Sequence, residues 1–204
     1  MRISTTLFFL FGLNLLLSAQ ETVTLMNGEI LNVHSVLDTD GMIAVTAPKR
    51  FSSKLKTTAL NKSEVFSYVH DGKEVILYVQ DSAFGDVYSA DEMRMYLAGE
   101  RDARANYKAN HIALIGYLIC GAASLVVGDG LLVLVVPPVA YGTLQLLGKV
   151  KIREKYISDK NYKFNDVYAE GFEPPARSKK IIKGIAGGVL GSVNGLIIYF
   201  LKNQ

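Results

Sequence analysis

Cysteine, histidine and tryptophan are scarce in this sequence of 204 residues, which has one cysteine, three histidines and no tryptophan. A single cysteine, Cys120, excludes a disulfide framework and a zinc site built from cysteines. Neither charge sign dominates, because 22 Lys and Arg stand against 19 Asp and Glu. Half of the residues are apolar and the mean hydropathy is +0.22, which excludes a disordered chain. The length suits one or two modest domains.

Clustered catalytic or metal-binding side chains are also missing. His34 lies in a predicted strand, His70 begins a predicted turn, and His111 stands at the edge of an apolar block. Their spacing fits no zinc pattern, and Cys120 lies within an apolar run. We therefore expect no catalytic residues, no cofactor and no metal ion.

Two segments resemble ligand-binding loops only in part. Residues 38–41 (DTDG) have the acidic spacing of a calcium loop, but no acidic residue occupies the place of its final glutamate. Residues 142–149 (GTLQLLGK) are one residue too long for a phosphate-binding loop, and Val150 replaces its Ser or Thr. We interpret the first as a turn and the second as part of an apolar segment.

Long apolar runs are what the sequence does contain, and the first lies in residues 1–20. Arg2 precedes an uncharged apolar core at 7–17, which is followed by small and polar residues. An apolar core this short does not span a bilayer. The pattern predicts a signal peptide removed near Ala19 or Gln20, and the alternatives are a buried first helix or an uncleaved anchor.

The second apolar block occupies residues 111–148 and holds one charged side chain besides its flanks, Asp129. As a straight helix it would be too long for one upright crossing of the bilayer. The Asp-Gly turn near its middle predicts a helical hairpin with arms at 112–128 and 131–147. The alternatives are one long span at 112–136, broken by a Pro-Pro pair, and a buried hairpin in a soluble core.

The third apolar block, residues 181–201, has the length of one membrane-spanning helix and is flanked by lysines. Its glycines repeat at every fourth position, which creates a flat stripe for close helix packing in lipid. We expect this stripe to pack against the hairpin or against a second copy of the chain. The predicted packing residues are Gly184, Gly187, Gly188, Gly191 and Gly195.

The basic residues give conflicting indications of orientation. The predicted juxtamembrane loop at 149–180 carries nine Lys and Arg against five Asp and Glu, so the positive-inside rule places it in the cytoplasm. A cleaved signal followed by a hairpin places it outside, whereas the single bent span would place it inside with Asp129 deep in the bilayer. We favour the hairpin. Asp129 and Asn194 are the polar candidates within the membrane segments.

Basic clusters at 149–155 and 177–183 adjoin the apolar blocks. Such clusters favour anionic lipid headgroups. Nucleic acid is not expected as a partner, since no stacking aromatic residues alternate with these charges. The partners that we predict are a bilayer with anionic headgroups and either a second copy or another envelope protein.

The stretch at 21–88 predicts an exported β-rich domain. Short alternating segments are separated by Asn-Gly and Asp-Gly turns and by a polar, basic loop at 48–56. About five strands of this kind suggest a small antiparallel barrel of SH3-like or Sm-like type. The predicted strands are 22–26, 30–37, 42–46, 65–69 and 75–79.

A linking helix is predicted within residues 89–110. Ser89 and Glu92 have the spacing of a capping box, and the helix should continue to about Tyr107. It would lead directly into the first membrane segment.

Three stretches carry a resemblance to a protein family. They are 25–28 (LMNG), 93–103 (MRMYLAGERDA) and 168–172 (YAEGF), the last followed by 177–180 (RSKK) and the glycine-rich block. With these motifs the chain resembles uncharacterised envelope proteins of Bacteroidota. The resemblance implies an exported β-rich module and glycine-rich membrane helices, and no assigned activity.

Together these patterns predict an α+β protein with a small β-barrel-like domain and a membrane domain of two to three helices. We predict a non-enzymatic envelope protein, anchored in the cytoplasmic membrane with its N-terminal domain on the exported side. The β domain would serve as an interaction module. The alternatives are a small transport or channel subunit and an accessory subunit of a membrane enzyme.

Overall fold

The computed structural model describes residues 21–48, 54–83, 85–127, 130 and 132–203. The chain divides into two compact units, Met1–Ala90 and Asp91–Gln204. The described chain is α+β, as predicted, with strands in the first unit and long helices in the second. The predicted signal peptide at 1–20 lies outside the described residues.

The strands of the first unit form two antiparallel sheets, with the orders β2-β1-β6-β7 and β3-β4-β5. Tight turns join several neighbours, and Gly28, Gly41 and Gly72 adopt the left-handed φ values that such turns require. The strands are β1 (Glu21–Leu25), β2 (Ile30–Val33), β3 (Ser35–Thr39), β4 (Met42–Pro48), β5 (Leu55–Asn61), β6 (Val65–His70) and β7 (Lys73–Ile76).

The two sheets share one apolar core. The chain passes from the first sheet to the second at His34, which separates β2 from β3 and donates its backbone N–H to Thr46 in β4. Inward-facing residues of both sheets meet in this core. They are Val23, Val33, Val36, Ile43, Val45, Val65 and Tyr68.

The predicted strand pattern needs three corrections. The predicted strand at 30–37 is two strands in different sheets, and β5 begins within the predicted polar loop at 48–56. The predicted strand at 75–79 lies earlier, as β7 at Lys73–Ile76. β5 is nearly all exposed, so it lacks the apolar alternation by which strands are recognised. Closure of the strands into a barrel is not seen in the residues that the structure describes.

The second unit is built from helices. α1 (Ala90–Asn106) begins directly after Ser89, close to the predicted start. Buried Ala109, at a φ of 48°, separates α1 from α2 (Asn110–Val127). α3 (Leu132–Leu144) contains Pro137 and Pro138, and α4 (Asp166–Lys202) is 37 residues long.

α4 runs parallel to α2 and antiparallel to α3, and it crosses α1 where Gly99 and Gly171 lie. Going along α4, Gly171 packs against Tyr96 of α1, and Gly187 packs against Ala113 of α2. In α3 the order is reversed, because Gly184 faces Tyr141 whereas Gly188 faces Pro138. α4 is therefore the element that contacts each of the other helices.

The predicted juxtamembrane loop at 149–180 is wrong for its second half, since residues 166–180 form the beginning of α4. Two short 3₁₀ turns, Glu154–Tyr156 and Lys160–Tyr162, occupy part of the remainder. The side chain of Asn165 accepts a hydrogen bond from the Tyr168 N–H and caps the helix.

The surface of the second unit is apolar along the helices that contain the two predicted membrane blocks. α2 and α4 are long and apolar enough to cross a membrane, yet only 22% of α2 and 33% of the most apolar part of α4 is buried. The interior between them consists of glycines and small residues such as Cys120, Ser124 and Ser192. Large aliphatic side chains thus face outward and small ones face inward.

Candidate functional site

The glycines predicted to pack helices lie against two different helices of the same chain. A Cβ atom on Gly187, Gly191 or Gly195 would overlap backbone carbonyl oxygens of α2. The α2 residues at these contacts are Ala113, Tyr117 and Gly121. Because these three are also spaced four apart, the backbones of two parallel helices touch over three successive turns.

Gly184 and Gly188 face α3 instead. A Cβ on Gly188 would lie 2.9 Å from the Cα of Pro138 and 3.0 Å from the Sγ of Cys120. A Cβ on Gly184 would lie 3.3 Å from the ring of Tyr141. The five glycines therefore pack α4 into the groove between α2 and α3, and this leaves none of their faces open to a second copy of the chain.

Of the two polar residues predicted to lie within the apolar segments, the structure describes one, Asn194. Asn194 is exposed on α4 and its amide donates a 2.8 Å hydrogen bond to the Tyr117 hydroxyl of α2. It therefore joins two helices at their surface. Asp129 lies outside the described residues.

Several of the basic residues predicted to meet lipid headgroups bind helix ends within the chain. The Lys179 ammonium donates to the carbonyl oxygens of Ala103, Arg104 and Tyr107, where α1 ends. A cation at this position complements the negative end of the helix dipole. Burial, together with the nearby charge of Lys183, holds the pKa of Lys179 below its ordinary value.

Arg177 and Lys180 make the same kind of contact beyond the end of α3. Arg177 donates to the Leu146 carbonyl at 2.9 Å and also pairs with Glu173. Lys180, only 6% exposed, donates to the Gly148 carbonyl at 2.9 Å. Neighbouring cations of α4 thus hold the ends of two other helices.

Asp102 is a buried carboxylate that joins three segments. Its Oδ2 accepts hydrogen bonds from the backbone N–H and hydroxyl of Ser158, each at 2.8 Å, and from the Tyr168 hydroxyl at 2.7 Å. Burial and the bond to Asp102 raise the pKa of Tyr168 above its ordinary value. This arrangement ties α1, the 149–165 segment and α4 together, and no prediction from the sequence found it.

A basic pocket of about 580 Å³ opens where α1 ends and α2 begins. Three basic residues line it, together with His111, Asn106, Asn110 and Tyr156. These three cations are Lys108, Arg153 and Lys155. We refer to this concavity as the junction pocket.

One group of possible metal ligands occurs in the first unit. Glu21, His70 and Asp71 each offer a ligand atom within 4.8 Å of the others. The Glu21 Oε1 and His70 Nδ1 already share a 2.8 Å hydrogen bond between β1 and β6, and His70 and Asp71 are exposed. This geometry is explained by the pairing of the two strands.

Comparison with known proteins gives no relative from which a function could be transferred. No known protein family, no curated protein and no solved structure matches this chain. The resemblance to envelope proteins therefore stays a prediction. Two stretches that carry it, Met93–Ala103 and Tyr168–Phe172, contact each other, because Gly99 and Gly171 each approach the backbone of the opposite helix.

Proposed function

We propose that the chain is a non-enzymatic protein of the cell envelope, whose second unit contains a membrane domain of three helices, α2, α3 and α4. The observation that carries this proposal is the distribution of side chains across α2, α3 and α4. Leu118, Val135 and Leu190 represent the large aliphatic residues that face outward, whereas Gly188 and Ser124 represent the small interior residues.

This distribution favours lipid over water as the surrounding solvent. A water-soluble bundle buries its large aliphatic side chains because their burial drives folding. In lipid that driving force between helices is absent, and close backbone packing at small residues takes its place. The second unit shows the pattern expected in lipid, with small residues at its helix contacts and large aliphatic side chains on its surface.

The helix lengths are compatible with this assignment. α2, with 18 residues, is about 27 Å long, and residues 181–202 of α4 are about 33 Å long. Both are close to the hydrocarbon thickness of about 30 Å. α3 is shorter, at 13 residues or about 20 Å. The turn that follows Leu144 extends this segment toward the membrane surface at which α2 begins.

One end of this domain is strongly basic. The start of α2, the end of α3 and the Arg177–Lys180 region of α4 lie together, so α1 and the 149–165 segment belong to that end. We propose that this end faces the exported side, since the predicted signal peptide would direct the preceding chain across the membrane. The end of α2, the start of α3 and the end of α4 then lie on the cytoplasmic side.

The first unit is proposed to be an interaction module. Its sheets end in edge strands, and β7 is exposed at all four of its residues. An extended partner segment can add to a sheet beside its edge strand. We propose an envelope protein as the partner, in agreement with the resemblance described above.

Carbonate extraction followed by cysteine accessibility tests this proposal. The full chain should remain in the membrane at alkaline pH and dissolve only with detergent. For topology, cysteines replace Asp129, Asp166 and Gln204 one at a time in a Cys120→Ala background. A membrane-impermeant maleimide added to whole cells (or, in a two-membrane cell, to cells with a permeabilised outer membrane) should label D166C and leave D129C and Q204C unlabelled until the cytoplasmic membrane is opened.

Two outcomes would contradict parts of the proposal. Release of the chain by carbonate would show that the helices do not cross the bilayer. Labelling of D129C and Q204C, but not D166C, would reverse the orientation and would show that residues 1–20 do not export the N-terminal unit.

A further inference from the structure

We propose that the junction pocket binds the phosphate of an anionic phospholipid. This inference rests on the proposed membrane location, because it places the pocket at the level where α2 enters the lipid. It goes beyond a general attraction between basic residues and lipid, since it assigns the binding of the phosphate to one concavity and to one set of side chains.

The charge of the junction pocket is not balanced by the protein. No carboxylate of the described part of the chain lines it, while Lys108, Arg153 and Lys155 bring three positive charges to one concavity. Within the described residues, none of these three cations forms an ion pair, and the nearby Glu154 pairs with Lys163 instead. An anion in the pocket would relieve the mutual repulsion of the cations.

Uncharged donors complete the lining. Asn106, Asn110 and Tyr156 also line the pocket, and the side chain of each carries a group of the kind that donates to phosphate oxygens. α2 begins at Asn110, so the positive end of its dipole adds to the field of the cations. The Asn106 amide also donates to the Tyr156 carbonyl at 3.1 Å, which fixes the 149–165 segment against α1.

An apolar surface leads from the junction pocket along α2. His111 lines the pocket, and Ile115 and Leu118 follow it at four and seven positions, on the same face of the helix. Leu114, Ile115 and Leu118 are 62%, 44% and 60% exposed. An acyl chain could lie along this face while its phosphate occupies the pocket, so the surface fits a phospholipid better than a free phosphate.

A second concavity adjoins the first and has the same character. It measures about 290 Å³, shares Lys108 and Asn110 with the junction pocket, and is also lined by Lys179 and Lys183. Ile182, 62% exposed, lies at its edge. The basic lining therefore continues from the 149–165 segment to α4, on both sides of Lys108.

Lipid binding by the purified full-length chain tests the assignment. Short-chain phosphatidylglycerol, short-chain phosphatidylcholine and inorganic phosphate are titrated separately in neutral detergent, and binding is followed by native mass spectrometry and by the thermal midpoint. The pocket variant is K108Q/R153Q/K155Q. The matched control, K149Q/K151Q/K160Q, removes the same charge from exposed residues of the same basic end that do not line the pocket.

The original chain should bind phosphatidylglycerol more tightly than phosphatidylcholine. At about fivefold for each basic residue, the pocket variant should lose on the order of 100-fold in affinity. The control should stay within about threefold of the original chain. If the triple variant has a lower thermal midpoint than the original chain without lipid, R153Q alone serves as a second test. It should show a loss of affinity between those of the original chain and the triple variant.

Three results would overturn the proposal. Equal losses in the pocket variant and the control would show that the affinity is a property of the whole basic end. Equal affinity for the two lipids would show that the anionic headgroup is not recognised. Binding of inorganic phosphate without phosphatidylglycerol would show a phosphate site that does not accept lipid. Resistance of these variants to carbonate extraction is measured in parallel, so that failure of this inference is distinguished from failure of the membrane assignment.

Discussion

Gly191 of α4 lies against the carbonyl of Tyr117 in α2 so closely that a Cβ atom on the glycine would overlap the carbonyl oxygen. The obstacle is backbone, which cannot turn aside as a flexible side chain can. Gly187 and Gly195 make equivalent contacts one turn before and one turn after Gly191. The two helices can therefore lie this close only because all three positions carry a hydrogen atom in place of a side chain.

We expect Gly191→Ala to destabilise the second unit by about 1–3 kcal/mol, because α4 must move away from α2 to admit one methyl group. In an isolated helix the same change is favourable, so the sign of the effect reports the helix contact. Thermal or denaturant unfolding in detergent measures it. Ala186→Leu, on an exposed position of α4, is the control and should have little effect. A Gly191→Ala protein as stable as the original would mean that the two backbones are not in contact.

Tyr168→Phe should lower stability by about 0.5–1.5 kcal/mol, since it removes the buried hydrogen bond to Asp102 and keeps the ring. Asp102→Ala should cost more, because the Ser158 N–H and hydroxyl would also lose their acceptor. Tyr162→Phe is a suitable control, because its ring stacks on Tyr168 and the three bonds to Asp102 remain. Equal effects of the two tyrosine substitutions would count against a specific role for Asp102.

Alkaline pH should lower the stability of the second unit through Tyr168. Because the folded state raises the pKa of Tyr168, the folded protein keeps a proton that an unfolded tyrosine loses at about pH 10. This contribution to stability is complete below about pH 10 and declines as the pH rises further. Unfolding midpoints between about pH 8 and 11 should therefore fall less steeply for Tyr168→Phe. Burial also raises the pKa of Tyr107, so some decline should remain; identical slopes would contradict the prediction.

Lys179→Met should destabilise the chain by about 1–2 kcal/mol, because the end of α1 would lose a charged donor to three carbonyl oxygens. The exposed Lys160→Met provides a control with the same loss of charge. Hydrogen exchange of the last turn of α1 localises the effect. If that turn stayed as protected as in the original chain, the lysine would not be acting as a cap.

The sequence allowed local features to be predicted, but not the pairing of distant segments. Turn glycines such as Gly72 and the capping pattern at Ser89 lie within a few residues of what they determine, so most strands and the start of α1 were located. β5 was missed because its exposed residues show no alternation of apolar and polar types. The predicted loop over the first part of α4 was wrong, and the sequence there gives little sign of a helix, since Pro174 and Pro175 lie within it and proline normally ends a helix.

In the candidate sites, too, local patterns could be predicted from the sequence, whereas contacts between distant segments could not. The four-residue glycine spacing predicted a packing face, whereas its division between α2 and α3 depends on how three helices meet. Asp102 and Tyr168 look like ordinary surface residues in the sequence, and only the fold buries them together. Lys108 and Arg153 likewise come from separate segments, so no local motif could identify the junction pocket.

The central place of α4 has a consequence for biosynthesis. In the proposed membrane location, α2 and α3 would leave the translocation machinery before α4, and so without the helix that packs on the α2 carbonyl oxygens and in the groove between α2 and α3. Until α4 arrives, the Lys179, Arg177 and Lys180 caps are missing as well, and the ends of α1 and α3 have no cationic partner from α4. The nascent hairpin is therefore the stage at which insertases, chaperones and quality-control proteases would engage this protein, and delayed synthesis of α4 should expose it to degradation.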